Sequence, residues 1–551
     1  MKGLTCTEPS RSREWVGGRG AVLGLVLLIV VGAALRLAPI GANRFHQDEA
    51  LYSFWALQIA TGRDPILNHS AVDKPPLFIY TLALCFKLFG PSEVAARLPS
   101  ELASVASIAL LYYFASRLYG RAVAMVAAIL MALSPFNILF APTAFTDPLM
   151  VVWVLAALCL AVKGRLGWCG VALGLAAATK QQGLLFVPLA IVIAARLHSP
   201  PSPRPPSVPP NPSTLLRASS GGEVREGGAF LPSPRVGRGG LGGRGLLLAL
   251  GFLAVMAPVA WWDSLRWQLQ PNYFEQSLIS YGGLALVDPA QLVERLGDWA
   301  EILHYMMASP FLNILLLIGL PCLLLYDLAP PLSPPNWGGG GGGEPATFFD
   351  VVLSAFVIIF LLGHWLLSFN IWDRYLLGLV PILLILLARV LWLASGALVR
   401  LLSPQQLLLQ GLLTVALLAT LAGPAWVAAQ SGYPIGGDHG AYDGIEAVAG
   451  YFRERVPAGS ILYHHWLGWH YSFYMFDFPL ISRWYPSPEE LARDARQVDD
   501  AQRYIVFPSG KSTAEARGAL ADAGLGLRSV YSAHGRDGST SFTVYRIEDQ
   551  K

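Results

Sequence analysis

Long apolar stretches separated by short polar turns fill the first 429 residues of the chain. An α-helix needs roughly 20 apolar residues to cross a lipid bilayer, and somewhat shorter stretches are tolerated. The pattern predicts about eleven membrane-spanning helices, at residues 21–40, 99–117, 122–140, 148–162, 168–180, 183–196, 246–262, 310–328, 348–367, 376–393 and 405–429. We therefore predict a polytopic α-helical membrane module over residues 21–429, preceded by a cytoplasmic N-terminus at 1–20.

The pattern changes after the last apolar stretch. Charged residues return, and the segments RYIVFPS (503–509) and TSFTVYRI (540–547) alternate as half-buried strands do. Between them, STAEARGALADAG indicates a helix that begins near Ser512 and ends at Gly524. We predict a small α/β domain over residues 430–551, which lies outside the membrane.

Two polar segments interrupt the membrane module. Residues 199–245 are rich in Pro, Gly, Ser and Arg, and residues 329–346 contain PPLSPPNWGGGGGGEP. Such compositions cannot bury enough apolar surface to fold. We predict disordered cytoplasmic connections at both places.

The positions of Lys and Arg orient the predicted helices. Basic residues follow alternate apolar stretches, among them Arg117, Arg121, Lys163, Arg165, Arg196, Arg244, Arg389 and Arg400. The positive-inside rule places them in the cytoplasm and the C-terminal domain on the outer side. The short apolar segment 74–90 would reverse this order if it crossed. We therefore predict that it lies in the outer interface without crossing.

Composition agrees with a membrane protein. The 551 residues are 54% hydrophobic and only 14% charged, whereas soluble domains carry roughly 25% charged residues. The net charge is +3, and no basic tract is interleaved with aromatic residues, so nucleic acid is not an expected partner. The five cysteines suggest neither a disulfide framework nor a zinc site. The expected location is the plasma membrane of a bacterium, with the bilayer itself as a partner.

Acidic and basic side chains gather in the loops on the predicted outer side. They are Asp48, Glu49, Asp73, Lys74, Asp147, Lys180, His304 and Arg374. Several of them have an ordinary structural explanation: Asp147 suits a helix N-cap, Lys180 a snorkelling position, and the Asp48–Glu49 pair the first turn of a helix. Their concentration on one side nevertheless predicts an active site at the membrane surface.

The order of these motifs resembles the glycosyltransferase-C superfamily. The DE of the first outer loop, DKPPL at its end, the isolated TDPL, TKQQG and the late RYLLGLVPILLIL together are similar to the protein O-mannosyltransferase and aminoarabinose-transferase branch. The resemblance covers roughly residues 20–395. It implies a glycosyltransferase that moves a sugar from a polyprenyl-phosphate donor to an acceptor of unknown identity on the outer side.

The resemblance also implies roles for individual residues. Asp48 matches the first-loop carboxylate, the expected general base, with Glu49 and Asp147 as further catalytic candidates. Lys74 and Arg374 are the expected contacts of the donor phosphate. The remaining substrate-binding candidates are Asp73, Tyr52, Lys180, Tyr375 and His304. In the aminoarabinose enzymes a histidine of the long outer loop helps to hold a metal, and the segment NYFEQSLISYGG lacks it. The resemblance therefore leaves open whether a divalent cation binds near Asp48.

The residue types suit this chemistry. Cations offset the charge of a leaving phosphate, and a carboxylate can take the proton of an acceptor hydroxyl, which is sufficient for displacement with inversion. A retaining route through Asp147 as nucleophile stays open. Two other classes of protein are alternatives. A transporter or flippase for a lipid-linked sugar would need polar residues near the bilayer midplane, and a membrane-anchored scaffold would use its outer domain to bind partners.

Overall fold

The computed structural model describes residues 11–198, 241–266, 271–281, 285–328, 343–402, 406–498 and 500–550. Most of the two predicted disordered connections, and the first ten residues, lie outside the described residues. Up to Ala429 the described chain is helical with short connections, and beyond it the chain builds a five-stranded sheet.

Sixteen α-helices lie in the described residues up to Ala429. They are α1 (Arg11–Leu37), α2 (Gln47–Ala60), α3 (Leu77–Phe89), α4 (Glu93–Tyr119), α5 (Arg121–Leu133), α6 (Pro135–Phe140), α7 (Thr146–Val162), α8 (Leu166–Thr179), α9 (Val187–His198), α10 (Leu241–Ser264), α11 (Tyr273–Tyr281), α12 (Leu292–His304), α13 (Pro310–Leu328), α14 (Gly343–Leu366), α15 (Val380–Leu402) and α16 (Gln406–Ala429). Short 3-10 turns lie at Gln181–Phe186, Pro289–Gln291 and Asp373–Leu376.

Every apolar stretch predicted to cross the membrane is helical. In the described part of the chain, seven helical segments are long and apolar enough to span a bilayer: Gly20–Leu37, Glu93–Tyr119, Gln181–His198, Gly243–Ser264, Ala346–Leu366, Val380–Leu398 and Gly411–Ala429. The other four predicted spans are shorter helices, α5, α7, α8 and α13. One of them, α5, ends because Ser134 and Pro135 start a new helix there. The predicted class, a multi-pass integral membrane protein, is confirmed.

The segment that was expected not to cross forms helix α3. Its 13 residues correspond to a length of about 20 Å at 1.5 Å per residue. The hydrocarbon core of a bilayer is about 30 Å thick, so α3 alone falls short of a full span. One face of α3 is buried against the protein, whereas Leu84, Leu88 and Phe89 are exposed.

Helices α8 and α10 pack unusually closely because glycines face each other. A Cβ atom on Gly170 would lie 1.9 Å from the carbonyl oxygen of Leu248, and one on Gly251 would lie 2.0 Å from that of Gly167. Small residues allow membrane helices to approach in this way. This contact fixes α8, whose C-terminal end carries Lys180.

A buried arginine joins the first helix to its neighbours. The guanidinium of Arg36 on α1 donates to the hydroxyl of Ser104 at 2.9 Å, and to the carbonyls of Gly32, Ala132 and Met131 at 2.8–2.9 Å. These bonds supply partners for a charge inside the helical module, where unpaired polar groups are costly.

The C-terminal domain is a mixed sheet covered on both faces. Strands β1 (Ile461–His464), β2 (Ile481–Trp484), β3 (Arg503–Pro508), β4 (Leu525–His534) and β5 (Thr540–Asp549) have the order β2-β1-β3-β5-β4. The first three strands are mutually parallel, whereas β5 runs antiparallel to β3 and β4. The predicted strands at 503–509 and 540–547 are thereby confirmed.

Alternate residues of the central strands enter two separate cores. Leu462, Tyr504 and Val506 pack with helix α17 (Ile445–Arg455) and helix α18 (Gly468–Tyr474). Ile461, Tyr463 and Ile505 point to the other face, towards α19 (Pro488–Arg496) and α20 (Ala514–Asp522). Because successive side chains of a strand point to opposite faces, a sheet with this pattern is buried on both sides.

Candidate active site

Helix α2 holds its first turn with a capping box. The side chain of His46 accepts a hydrogen bond from the Asp48 amide at 3.2 Å, and the Glu49 carboxylate accepts one from the His46 amide at 2.8 Å. Such reciprocal caps satisfy free N–H groups at a helix start. They fix the direction in which Asp48 leaves the helix.

Asp48 meets an arginine from the far end of the membrane module. The guanidinium of Arg374, in the turn Asp373–Leu376, lies 2.6 Å from the Asp48 carboxylate. Arg374 is buried, whereas Asp48 keeps 27% of its side chain exposed. Burial is the largest single influence on Asp48 and works against its ionisation. The charge and hydrogen bond of Arg374, together with smaller contributions from His46 and Lys74, outweigh burial and lower the pKa of this carboxyl group.

A second ion pair joins the ends of α7 and α8. The ammonium group of Lys180, in the turn after α8, donates to the Asp147 carboxylate at 2.6 Å, and both side chains are buried. The same ammonium lies 4.6 Å from the ring centroid of Tyr375. Burial lowers the pKa of Lys180 to about 8, although Asp147 opposes this shift.

The third pair consists of neighbours in sequence. The Lys74 ammonium donates to the Asp73 carboxylate at 2.6 Å and to the hydroxyl of Tyr281, on α11, at 2.5 Å. The amide side chain of Gln181 donates to the Asp73 carbonyl at 2.8 Å, which joins this pair to the turn that carries Lys180. Among the described residues, the second Asp73 carboxylate oxygen is buried without a hydrogen-bond partner.

The three cations of these pairs lie close enough to influence one another. Burial is the main cause that lowers the pKa of Lys74 and of Lys180, and in both cases the charge of Arg374 adds to it. Lys74 in turn contributes to the lowered pKa of Lys180. Three buried positive charges this close together are stable only beside negative charge, which the aspartates supply here.

Aromatic side chains lie around these ion pairs. The buried ring of Tyr52 lies 5.8 Å from that of Trp55 and 6.2 Å from that of Phe78. Burial, followed by the charge of Asp48, raises the pKa of the Tyr52 hydroxyl well above its usual value. The backbone carbonyl of Tyr375 accepts a hydrogen bond from Gln182 at 2.9 Å.

Two of the sequence candidates lie apart from this group. Glu49 is fully buried, and its carboxylate bonds with Arg97 at 3.1 Å and with the Ala144 amide at 2.7 Å. These contacts join α2 to α4 and to the segment before α7, so the role of Glu49 is structural. His304 ends helix α12, is exposed, and contacts Tyr305 and Asn313. The structure therefore brings together Asp48, Tyr52, Asp73, Lys74, Asp147, Lys180, Arg374 and Tyr375, without Glu49 and His304.

Sequence reasoning missed several residues of the site. Tyr281 lies in a segment in which no motif was identified. Arg97, which pairs with Glu49 in support of the first loop, lies just before the predicted span 99–117. Gln181 and Gln182 belong to the TKQQG turn quoted above. Their two side-chain amides, which donate hydrogen bonds beside Lys180, could have been predicted from that motif.

A metal ion does not fit the residues at this place. In the described part of the chain, no group of three or more His, Cys, Asp or Glu side chains converges on one point. Asp48, the candidate ligand, is paired with Arg374, and Asp73 and Asp147 are paired with lysines. We therefore derive no catalytic step through a metal.

An open cleft of about 420 Å³ leads from the surface to Arg374. Its walls come from helix α12, the segment 371–374 and the segment 434–437 after α16. His46 and Phe145 lie at the same end of the cleft as Arg374. The cleft therefore opens beside Arg374, the ion-pair partner of Asp48.

Sequence comparison finds related proteins for part of the chain. A family described as dolichyl-phosphate-mannose-protein mannosyltransferase matches residues 73–202. Two proteins of Bacillus subtilis (strain 168) match 101 residues each, or 18% of this chain: "Putative mannosyltransferase YycA" at 35% identity and "Putative mannosyltransferase YkcB" at 33%. The matched part spans only 15% and 14% of the length of these two relatives.

Structural comparison extends over nearly the whole chain. ArnT from Cupriavidus metallidurans superimposes with TM-scores of 0.58, bound to undecaprenyl phosphate, and 0.61 in the apo state. The identities are 16% and 15%, and the matches cover 97–98% of this chain and 98% of ArnT. The oligosaccharyltransferase AglB from Archaeoglobus fulgidus, in complex with an inhibitory peptide and a dolichol-phosphate, gives a TM-score of 0.50 at 13% identity, over 96% of this chain and 74% of AglB. The predicted resemblance to the glycosyltransferase-C fold is confirmed.

Proposed function

We propose that this protein is a membrane glycosyltransferase that moves a sugar from a polyprenyl-phosphate donor to an acceptor hydroxyl, with inversion at the sugar carbon. The observation that carries the proposal is the proximity of three buried cations, Lys74, Lys180 and Arg374, each paired with an aspartate. A cluster of buried cations suits the binding of a phosphate. The relatives YycA and YkcB are named putative mannosyltransferases, and ArnT binds undecaprenyl phosphate in its crystal structure. Both facts support the same chemistry.

The donor phosphate would compete with Asp48 for Arg374. In the structure the Asp48 carboxylate is engaged by that guanidinium at 2.6 Å. Once the phosphate takes the guanidinium, the carboxylate loses its nearest positive charge and becomes a stronger base. Binding of the donor thus prepares Asp48 to accept a proton.

The transfer step then needs few groups. The acceptor hydroxyl attacks the sugar carbon and gives its proton to Asp48, while the bond from that carbon to the phosphate oxygen breaks. The electron pair leaves with the polyprenyl phosphate, whose charge Lys74 and Arg374 stabilise. The buried free oxygen of Asp73 is placed to accept a hydrogen bond from a sugar hydroxyl.

The geometry favours inversion over a double displacement. A retaining route needs a second carboxylate that can attack the sugar. Asp147, the candidate for that role, is fully buried and held by Lys180 at 2.6 Å. Asp48, by contrast, keeps a partly exposed carboxylate next to the cleft. We assign Asp147 to holding Lys180 in place.

We also propose that this site and the C-terminal domain lie on the outer side of a bacterial plasma membrane. The distribution of Lys and Arg over alternate loops supports this orientation. Because the donor lipid resides in the bilayer, a site at the membrane surface can receive it from the lipid and the acceptor from water. The alternative of a transporter or flippase has no observation in its favour.

Label transfer in sealed membranes tests the proposal. Right-side-out vesicles that contain the full-length protein receive radiolabelled undecaprenyl-phosphate mannose, and the label is followed into lipid, protein and polymer fractions. We expect label in a product that a membrane-impermeant oxidant attacks from outside. Vesicles without the protein are the control. If undecaprenyl-phosphate mannose, glucose and arabinose all fail to transfer label, the proposed function is wrong.

The pH dependence of transfer should report on Lys180. Because the pKa of Lys180 is lowered to about 8, this residue loses its proton, and its bond to Asp147 weakens, as the pH rises through that value. We expect kcat/KM to fall between pH 7.5 and 9, on the order of tenfold per unit at the alkaline end. Lys180→Arg should keep its charge and remove this alkaline decline. An unchanged alkaline decline in that variant would contradict the assignment.

A further inference from the structure

The C-terminal domain contacts the turn that carries Arg374. The Asp373 carboxylate accepts a hydrogen bond from the Arg374 amide at 2.7 Å with one oxygen and from the Gly436 amide at 2.9 Å with the other. Gly436 belongs to the segment that leads from α16 into the domain. Asp373 therefore ties the backbone of the Arg374 turn to that segment.

The same domain also contacts the loop that carries Asp48. His470, fully buried on α18, donates to the Phe45 carbonyl at 2.9 Å, and the Phe45 amide donates to the hydroxyl of Tyr474 at 3.3 Å. The Phe45 ring packs edge-on against Phe473 at 4.9 Å. Both backbone polar groups of the residue before the capping box are thus bonded to one helix of the domain.

We infer that the C-terminal domain positions the Asp48–Arg374 pair, with Asp373 and His470 as positioning residues, one for each partner. The inference rests on the proposed function for its kinetic consequences. The two partners come from loops more than 300 residues apart in sequence, and within the described residues the domain bonds directly to both. A shift of about 1 Å in such a constellation can lower a rate about a hundredfold.

The first test removes the link at Asp373. We expect Asp373→Ala to lower kcat/KM for label transfer about 10- to 100-fold, mostly in kcat. The acid side of the pH profile should move to higher pH, because Asp48 loses the closely held Arg374, the cation that lowers its pKa most. Asp477→Ala, which breaks an exposed ion pair with Arg453 in the same domain, is the control. It should change neither quantity.

Two glycines with positive φ angles give a matched pair for the second test. At Gly436 the φ angle is +72°, so an alanine is strained there, and its Cβ would collide at 2.9 Å from the Leu139 carbonyl oxygen. Because the adjacent Gly437 itself lines the cleft to Arg374, the control is Gly459, which also has a positive φ angle, +79°, with nothing within 4 Å, and lies in the C-terminal domain outside the cleft. We expect Gly436→Ala to reproduce the kinetic loss of Asp373→Ala, and Gly459→Ala to remain within about threefold of wild type, a difference of roughly 0.6 kcal/mol.

The contact at Phe45 is tested by a conservative rescue. His470→Leu removes the donor to the Phe45 carbonyl, whereas His470→Gln keeps an N–H at nearly the same place. We expect the Leu variant to lose activity about as much as Asp373→Ala and the Gln variant to recover most of it. Any one of three results would overturn the inference. These are equal losses of activity in the two His470 variants, equal losses in the two glycine variants, and an acid limb of the pH profile that does not shift in Asp373→Ala.

Hydrogen exchange separates this inference from the proposed function. In the full-length protein in nanodiscs, without any donor, Asp373→Ala should increase amide exchange in peptides covering 372–378 and also in those covering 45–52. Exchange that increases only in 372–378 would contradict the inference. This result stands even if no sugar is transferred by the wild-type protein, in which case the proposed function alone fails.

Discussion

Asp48→Asn is expected to lower sugar transfer about 10³-fold, since a positioned general base contributes roughly 10²–10⁴-fold to such a reaction. The amide has nearly the shape of the carboxylate but cannot accept the proton of the acceptor hydroxyl. It also gives up the charge that pairs with Arg374 at 2.6 Å. The measurement is the initial rate of label transfer from undecaprenyl-phosphate mannose in membranes with equal amounts of protein.

The control for this variant is Asp477→Asn. Asp477 is a carboxylate of the same protein that pairs with an arginine at 2.8 Å, but it is 70% exposed and lies in the C-terminal domain away from the ion pairs of the site. Its change should leave the transfer rate within twofold of wild type, about 0.4 kcal/mol. Full activity of Asp48→Asn would rule out Asp48 as the base.

Arg97→Met is expected to destabilise the protein by about 3–5 kcal/mol, because it leaves a buried carboxylate without its partner. The guanidinium of Arg97 bonds with Glu49 at 3.1 Å and donates to the carbonyls of Ile40, Asn43 and Arg44 at 2.8–2.9 Å. All of these groups lie around the loop that delivers Asp48. Thermal unfolding in detergent measures the loss, and the fraction of folded protein in membranes should fall with it.

Arg453→Met is the matched control for Arg97→Met. Arg453 also pairs with a carboxylate, but 40% of its side chain is exposed. Exposed ion pairs contribute roughly 0–1 kcal/mol, so the midpoint of unfolding should move little. Similar shifts for the two arginine variants would show that the Glu49–Arg97 pair does not support the first loop as we describe.

Much of the site could be predicted from the sequence because of where charge can lie in a membrane protein. Charged residues at the ends of apolar stretches are restricted to the two surfaces, and the placement of Lys and Arg assigns each end to one surface. That reasoning groups Asp48, Lys74, Asp147, Lys180 and Arg374 from distant parts of the chain. The structure places the same five residues in adjacent ion pairs.

The division of labour between Asp48 and Glu49 could not be predicted. Neighbouring residues on a helix point about 100° apart, so Asp48 faces Arg374 and Glu49 faces α4. The choice depends on Arg97, which lies 48 positions after Glu49, just before a predicted span. For the same reason His304 could not be excluded, since only the packing of α12 decides where its ring lies.

The contact between His470 and Phe45 has a consequence for biogenesis. These residues are 425 positions apart, so the first outer loop emerges long before the residues that grip it are synthesised. A ribosome-bound nascent chain therefore carries the Asp48 loop without its contact to His470 until that residue has been synthesised. Under the proposed function, the candidate base would thus become positioned late in biogenesis.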